Sequence, residues 1–241
     1  MPRYRTRRKR RGLLQRMLRA AVVLLLVLLL LSVAAVLPLR WWNPPTTSFI
    51  LRDPHPVEQQ WVGAGQLSSW LAISVVAAED QLFPRHHGFD TGSLRKAWDD
   101  HRSGRRTRGA STISQQVAKN LFLWSGQSML RKGMEAWLTV HIELLWPKQR
   151  ILEVYLNVAE FGPGVYGAEA ASRRYFGKSA AALTAQEAAL LAAVLPSPKR
   201  FRVDAPTPYL RKRAAWIAGQ TAQLGGPAYL AACCPELAGS R

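Results

Sequence analysis

Between Arg19 and Arg40 the chain runs for twenty residues, Ala20 to Leu39, without a charge, and Ser32 is the only polar side chain among them. As an α-helix rising about 1.5 Å per residue, this run measures roughly 30 Å, the thickness of a bilayer's hydrocarbon core. Trp41 and Trp42 follow at once, where an interfacial aromatic belt would sit. Nine basic residues and no acidic one occupy residues 1–20, and only Arg40 and Arg52 follow the run closely. Basic segments stay on the cytoplasmic side, so residues 1–19 are expected in the cytoplasm and residues 41–241 outside it. A cleaved signal peptide would carry an apolar core of about 7–15 residues with small residues at the cut. Here the core is longer and Val33-Ala34-Ala35 is buried inside it, so an uncleaved anchor over residues 20–40 is expected.

The anchor also explains the charge. A formal net charge of +18 over 241 residues invites a nucleic-acid reading. Half of it is the basic tail, a topology signal, and the other half lies across the membrane from DNA. Apolar residues make up 48% of the chain, which excludes disorder for most of it. The two cysteines, Cys233 and Cys234, are adjacent, which suits neither a disulfide framework nor zinc-ligand spacing.

Pro44, Pro45, Pro54 and Pro56 exclude a long helix over residues 43–66. From Leu67 the pattern turns helical. Residues 67–78 are apolar on nearly all sides, as in a buried helix, which delivers Glu79 and Asp80 at its C-terminal end. Further helices are expected at 111–123, 128–146, 148–158, 164–175 and 184–194, punctuated by Pro147, Gly162, Pro163, Gly177, Pro196 and Pro198. Most of residues 91–110, with Arg102, Arg105, Arg106 and Arg108 around Ser103 and Gly104, reads as a mobile loop. No alternating strand pattern of useful length occurs, so the domain is expected to be mainly α.

Four constellations carry chemistry. Glu79 emerges from an apolar helix, which raises a carboxyl's pKa toward that of a general acid or base; a solvated helix-end residue is the alternative. Ser111 is expected to cap the next helix, with Ser111, Gln115 and Lys119 in one polar row. A helix N-terminus beside such a row suits phosphates and sugar hydroxyls, although an ordinary amphipathic helix gives the same pattern. Arg131 and Lys132 stand four and three residues before Glu135, either an exposed ion pair or a phosphate clamp with a carboxylate beside it. Ile151, Leu152, Tyr155 and Leu156 form a packing face, with Glu153 and Asn157 on other faces of the same helix.

Glu79-Asp-Gln-Leu-Phe-Pro-Arg-His-His-Gly-Phe-Asp90 resembles the first motif of the peptidoglycan glycosyltransferases, glycosyltransferase family 51. Gly109 to Asn120 resembles the second, Arg131 to Glu135 the third, Lys148 to Asn157 with Phe161 to Gly167 the fourth, and Leu183 to Pro198 the fifth. The five stand in family order. Ala110 departs from a usual second glycine and Ala159-Glu160 from a common aromatic pair. The only Ser-x-x-Lys string, Ser93 to Lys96, lies between the first two motifs, and no Lys-Thr-Gly follows it, so no penicillin-binding transpeptidase domain is expected.

The resemblance implies a lysozyme-like α-helical glycosyltransferase domain over residues 67–205, behind a connector at 41–66 and before a helical extension at 206–241. It implies polymerisation of lipid II into glycan strands with release of undecaprenyl diphosphate, at the outer face of the bacterial cytoplasmic (inner) membrane. Glu79 is the implied base and Glu135 the second essential carboxylate. Asp80, Phe83, His86, Ser111, Thr112, Gln115, Gln116, Lys119, Asn120, Arg131 and Lys132 are the implied substrate-binding residues. A divalent cation, Mg2+ or Mn2+, is left open, with Glu135 as its candidate ligand. Expected partners are lipid II, the growing glycan chain, membrane lipid and proteins of cell division or wall synthesis, with no nucleic acid. Two rivals remain: a lysozyme-like enzyme that cleaves peptidoglycan, which would not need the cations Lys119, Arg131 and Lys132, and an inactive membrane-tethered scaffold.

Overall fold

The computed structural model describes residues 4–92, 95, 99, 102–103, 111–126 and 128–239, with side chains from residue 15 onward. Helix α1, Tyr4–Val36, contains the apolar run and continues through a short turn, Leu37–Arg40. The connector forms a turn at Ile50–Arg52, strand β1 at Glu58–Gln59 and a second turn at Ala64–Gln66. Helices α2 (Ser69–Glu79), α3 (Ile113–Phe122), α4 (Met129–Leu145) and α5 (Lys148–Val158) follow. Strands β2 (Glu160–Gly162) and β3 (Val165–Tyr166) precede α6 (Ala168–Phe176), α7 (Ala185–Val194) and α8 (Pro208–Gln223).

The mainly helical expectation holds. A small sheet was not expected: β1 pairs in parallel with β3, and β3 antiparallel with β2. Two- and three-residue pairings leave no alternation to read. They also explain why the helix expected at 164–175 begins only at Ala168. Gly164 and Gly167 take left-handed φ values of 73° and 83°, which turn the chain out of the strands before a helix can start. In the stretch read as a mobile loop, Thr91, Gly92, Arg95, Asp99 and Arg102 are helical, correcting that reading for them; residues 93, 94, 96–98, 100, 101 and 104–110 lie outside the described residues.

Helix α2 is the spine of the core. Leu71, Ala72, Ile73, Val75 and Val76 are all fully buried, and α7 and α8 pack against it. Helix α3 lies on α4 and α5. Asn157 is fully buried and ties the connector down: its Oδ1 accepts from the Val62 N–H at 3.0 Å and its Nδ2 donates to the Val62 carbonyl at 3.0 Å. The carboxamide therefore replaces the strand partner that Val62 lacks.

Helix α4 buries charged and polar side chains beside Ile142 and leaves much of its apolar surface outside. Arg131, Glu135, Thr139 and His141 are buried, while Met129, Leu130 and Leu144 are 89%, 72% and 78% exposed. Met134, Trp137 and Val140 extend this apolar surface. The anchor docks beside it: the Trp137 indole donates to Ser32 Oγ at 3.1 Å and the Trp146 indole to the Val36 carbonyl at 2.9 Å. Arg150 then donates to the carbonyls of Leu39 and Trp42 at 3.0 and 2.9 Å, and Arg40 to that of Leu145 at 2.8 Å.

Candidate active site

The end of α2 and the residues that open α3 line one cleft, and the first turn of α4 reaches it through a Lys132–Ser111 hydrogen bond. Glu79 is the last residue of α2, and no cation of its own helix is near. Its Oε2 accepts from Gln116 Nε2 at 2.9 Å, and its Oε1 lies 3.9 Å from the Arg213 guanidinium on α8. Burial raises its pKa; the Gln116 hydrogen bond and the charges of Arg213 and Lys119 oppose that rise, and Asp80 adds to it. The carboxyl is thus poised to hold or release a proton closer to neutrality than an exposed glutamate. A cavity of about 450 Å³ opens beside it, lined by Glu79, Asp80, Asp90, Ser111, Thr112 and Trp216.

The remaining first-motif residues shape the cleft from behind. Asp80 accepts from His86 Nε2 at 2.8 Å and from the Ile113 N–H, the first of α3, at 3.0 Å. A carboxylate at a helix N-terminus is electrostatically favourable, so Asp80 welds the first motif to the second. Phe83 is fully buried, with Lys148 Nζ 4.4 Å from its ring centre.

The start of α3 differs from expectation. The cap is Thr112, not Ser111: Thr112 Oγ1 accepts from the Gln115 N–H at 3.3 Å, and Gln115 Oε1 accepts from the Thr112 N–H at 3.0 Å. Gln115 is buried in this reciprocal cap, so the polar row Ser111–Gln115–Lys119 is broken at its centre. With Asp80 also on the Ile113 N–H, two of the N–H groups at this helix end are already taken by side chains. Gln116, one position on, faces Glu79 instead, and Tyr155 donates to its Oε1 at 3.1 Å.

The cationic group stands beside this. Arg131 donates from Nη1 to Glu135 Oε2 at 2.6 Å and from Nε to the Gly126 carbonyl at 2.7 Å. Lys132 contacts Glu135 Oε1 and donates to Ser111 Oγ at 3.2 Å. Each oxygen of the buried Glu135 carboxylate therefore holds one cation. Lys119 is half-buried, its Nζ 5.6 Å from the centre of the Phe49 ring. Burial lowers its pKa, Glu135 and Glu79 oppose that, and Arg131 and Lys132 add to it, so one ammonium senses both carboxylates. Lys119 and Asn120 also line a smaller cavity of about 190 Å³ with Gln116, Tyr155 and Glu160.

A divalent cation does not fit Glu135 as it stands, because both its oxygens are taken by cationic side chains. Among the described residues no three His, Cys, Asp or Glu side chains gather to hold a metal. Two residues of this site escaped sequence reasoning. Arg213 lies beyond the fifth motif, with no local signal, and Tyr155 read only as packing.

The transglycosylase family profile matches residues 47–222, which takes in the connector from Thr47 and most of the last helix, including Arg213. A biosynthetic peptidoglycan transglycosylase of Xanthomonas axonopodis pv. citri (strain 306) is 60% identical over 176 residues, 73% of this chain and 72% of that protein. One of Xylella fastidiosa (strain M23) is 60% identical over 170 residues, 70% of each chain. With the geometry of the cleft and these matches together, the chain belongs to the transglycosylase family, the peptidoglycan glycosyltransferases.

Proposed function

We propose that this chain polymerises lipid II into glycan strands and releases undecaprenyl diphosphate. Glu79 takes the proton from the 4-hydroxyl of the acceptor sugar. That oxygen displaces the lipid diphosphate from the anomeric carbon of the donor in one step, inverting it from α to β. The C–O bond to the diphosphate breaks as the glycosidic bond forms, so no protein nucleophile is needed. Lys119, Arg131 and Lys132 neutralise the leaving diphosphate, and Glu135 holds the last two in place. Ser111 and Asn120 contribute hydrogen bonds to phosphate or sugar. A Mg2+ or Mn2+ ion would draw its ligands from the substrate diphosphate rather than from Glu135.

One observation carries this reading: the half-buried Glu79 carboxylate, bonded to Gln116, stands beside a cationic group, with Lys119 lining a cavity with that same Gln116 and Arg131 and Lys132 held on Glu135. A hydrolase cutting glycan releases no diphosphate and has no use for that set. The test is incubation of the purified full-length protein with lipid II in detergent. Polymeric glycan and free undecaprenyl diphosphate are expected. Cleavage of preformed peptidoglycan with no polymer formed would reverse the assignment.

We also propose that α1 spans the cytoplasmic membrane with its N-terminus inside and the cleft outside. The support is the basic tail before an uncharged run, with α4's apolar face beside it. Alkaline phosphatase fused after Arg241 is expected to be active in intact cells. An inactive fusion, with a cytoplasmic reporter active in its place, would invert the orientation.

A further inference from the structure

Glu79 has no partner on its own helix, and its carboxylate is approached from two sides by residues that no motif pairs with it. On one side is a chain of donors. Tyr155, on α5 and 1% exposed, donates to Gln116 Oε1 at 3.1 Å, and Gln116 Nε2 donates to Glu79 Oε2 at 2.9 Å. The phenol at Oε1 and the acceptor oxygen of Glu79 at Nε2 together order the carboxamide, with its NH2 toward Glu79. On the other side, Arg213 on α8 is itself fixed, its Nε donating to the Ala193 carbonyl of α7 at 3.2 Å, with Nη2 3.9 Å from Glu79 Oε1. Among the described residues the Tyr155 hydroxyl has no other hydrogen-bond partner, and Arg213 has only the Ala193 carbonyl besides Glu79.

We infer that Arg213 and Tyr155 are positioning residues for the base: Arg213 directly, and Tyr155 through Gln116, hold the Glu79 carboxylate in its ionised form and aim it into the cleft. The proposal rests on the reading of Glu79 as the general base. It gives the last helix, outside the five motifs, a part in the reaction. Groups facing Glu79 from each packed element are Asp80 after α2, Gln116 and Lys119 on α3, Tyr155 on α5 and Arg213 on α8. Of these, Asp80 favours the protonated form, while Lys119, Arg213 and the Gln116 hydrogen bond favour the ionised one.

The sign follows. A base works only when ionised, so the rate rises with pH through its pKa. Loss of a cation or of a donor raises that pKa and moves the acid limb of the profile to higher pH. For Arg213→Gln the expected move in kcat/KM is about one pH unit, the lower end for a nearby opposite charge. Arg213→Lys, which keeps the charge, should restore most of it, and Tyr155→Phe should move the limb the same way by less. The experiment is the pH dependence of lipid II polymerisation by the full-length protein for these three variants and Glu79→Gln. A uniform loss at every pH, with the limb in place in Arg213→Gln and Tyr155→Phe, would make their role packing only and overturn the proposal. Survival of activity in Glu79→Gln would instead overturn the base reading itself, so the two failures are told apart.

Discussion

Glu79→Gln should cut turnover by about 10²- to 10⁴-fold, the usual contribution of a general base, while binding of lipid II stays near that of the parent protein. The substitution keeps the shape of the side chain and its hydrogen bond from Gln116. It removes only the capacity to accept a proton, which the ground-state complex does not use. Single-turnover polymerisation with a parallel measurement of lipid II affinity reads both quantities. A variant that keeps more than about a tenth of the rate would leave no room for Glu79 as the base.

The second large effect concerns Glu135, and it should look different. This carboxylate is 2% exposed and holds Arg131 on one oxygen and Lys132 on the other. Glu135→Gln leaves two cations facing an amide, one of them nearly buried. Loss of a partner from a buried ion pair costs about 3–5 kcal/mol, and Lys132's exposure to solvent puts the expectation at about 3 kcal/mol. For a domain of this size that is a fall in Tm of roughly 6–12 °C, measured in detergent. Turnover should drop by about 10²-fold, because preorganised charge at the leaving group is lost. Affinity for a lipid diphosphate should drop with it, which separates this variant from Glu79→Gln. Tighter diphosphate binding in Glu135→Gln would show that the sum of charge governs the site and that placement of Arg131 and Lys132 does not.

How far the sequence could be read depended on whether the deciding interaction was local. The Arg131–Lys132–Glu135 triplet was legible because helical spacing alone puts those residues on one side. The buried character of α2 was legible from its uninterrupted apolar run. The register of α3 was misjudged because Ser111 and Thr112 are both good caps, and only the reciprocal bond from Gln115 selects Thr112. The same bond removed Gln115 from the cleft. For α4, helical spacing brought Arg131, Lys132 and Glu135 together but left open whether they look inward or outward. Here Arg131 and Glu135 are buried along with Ile142, and Met129, Leu130 and Leu144 are left outside. Arg213 and Tyr155 meet Glu79 only once α5 and α8 are packed, a condition no window of sequence contains.

The docking of the anchor limits how the enzyme meets its substrates. Indole and guanidinium donors grip the chain from Ser32 to Trp42, so no slack tether separates the helix from the catalytic body. With α1 across the membrane as proposed, this grip would hold the cleft at one depth and let it turn only about the membrane normal. On that proposal a lipid-borne sugar would arrive by sliding within the leaflet, a two-dimensional encounter set by surface density rather than by bulk concentration. Lengthening the chain at Asn43 would restore the missing freedom only if the bonds of Trp137, Trp146, Arg40 and Arg150 across this joint were broken as well.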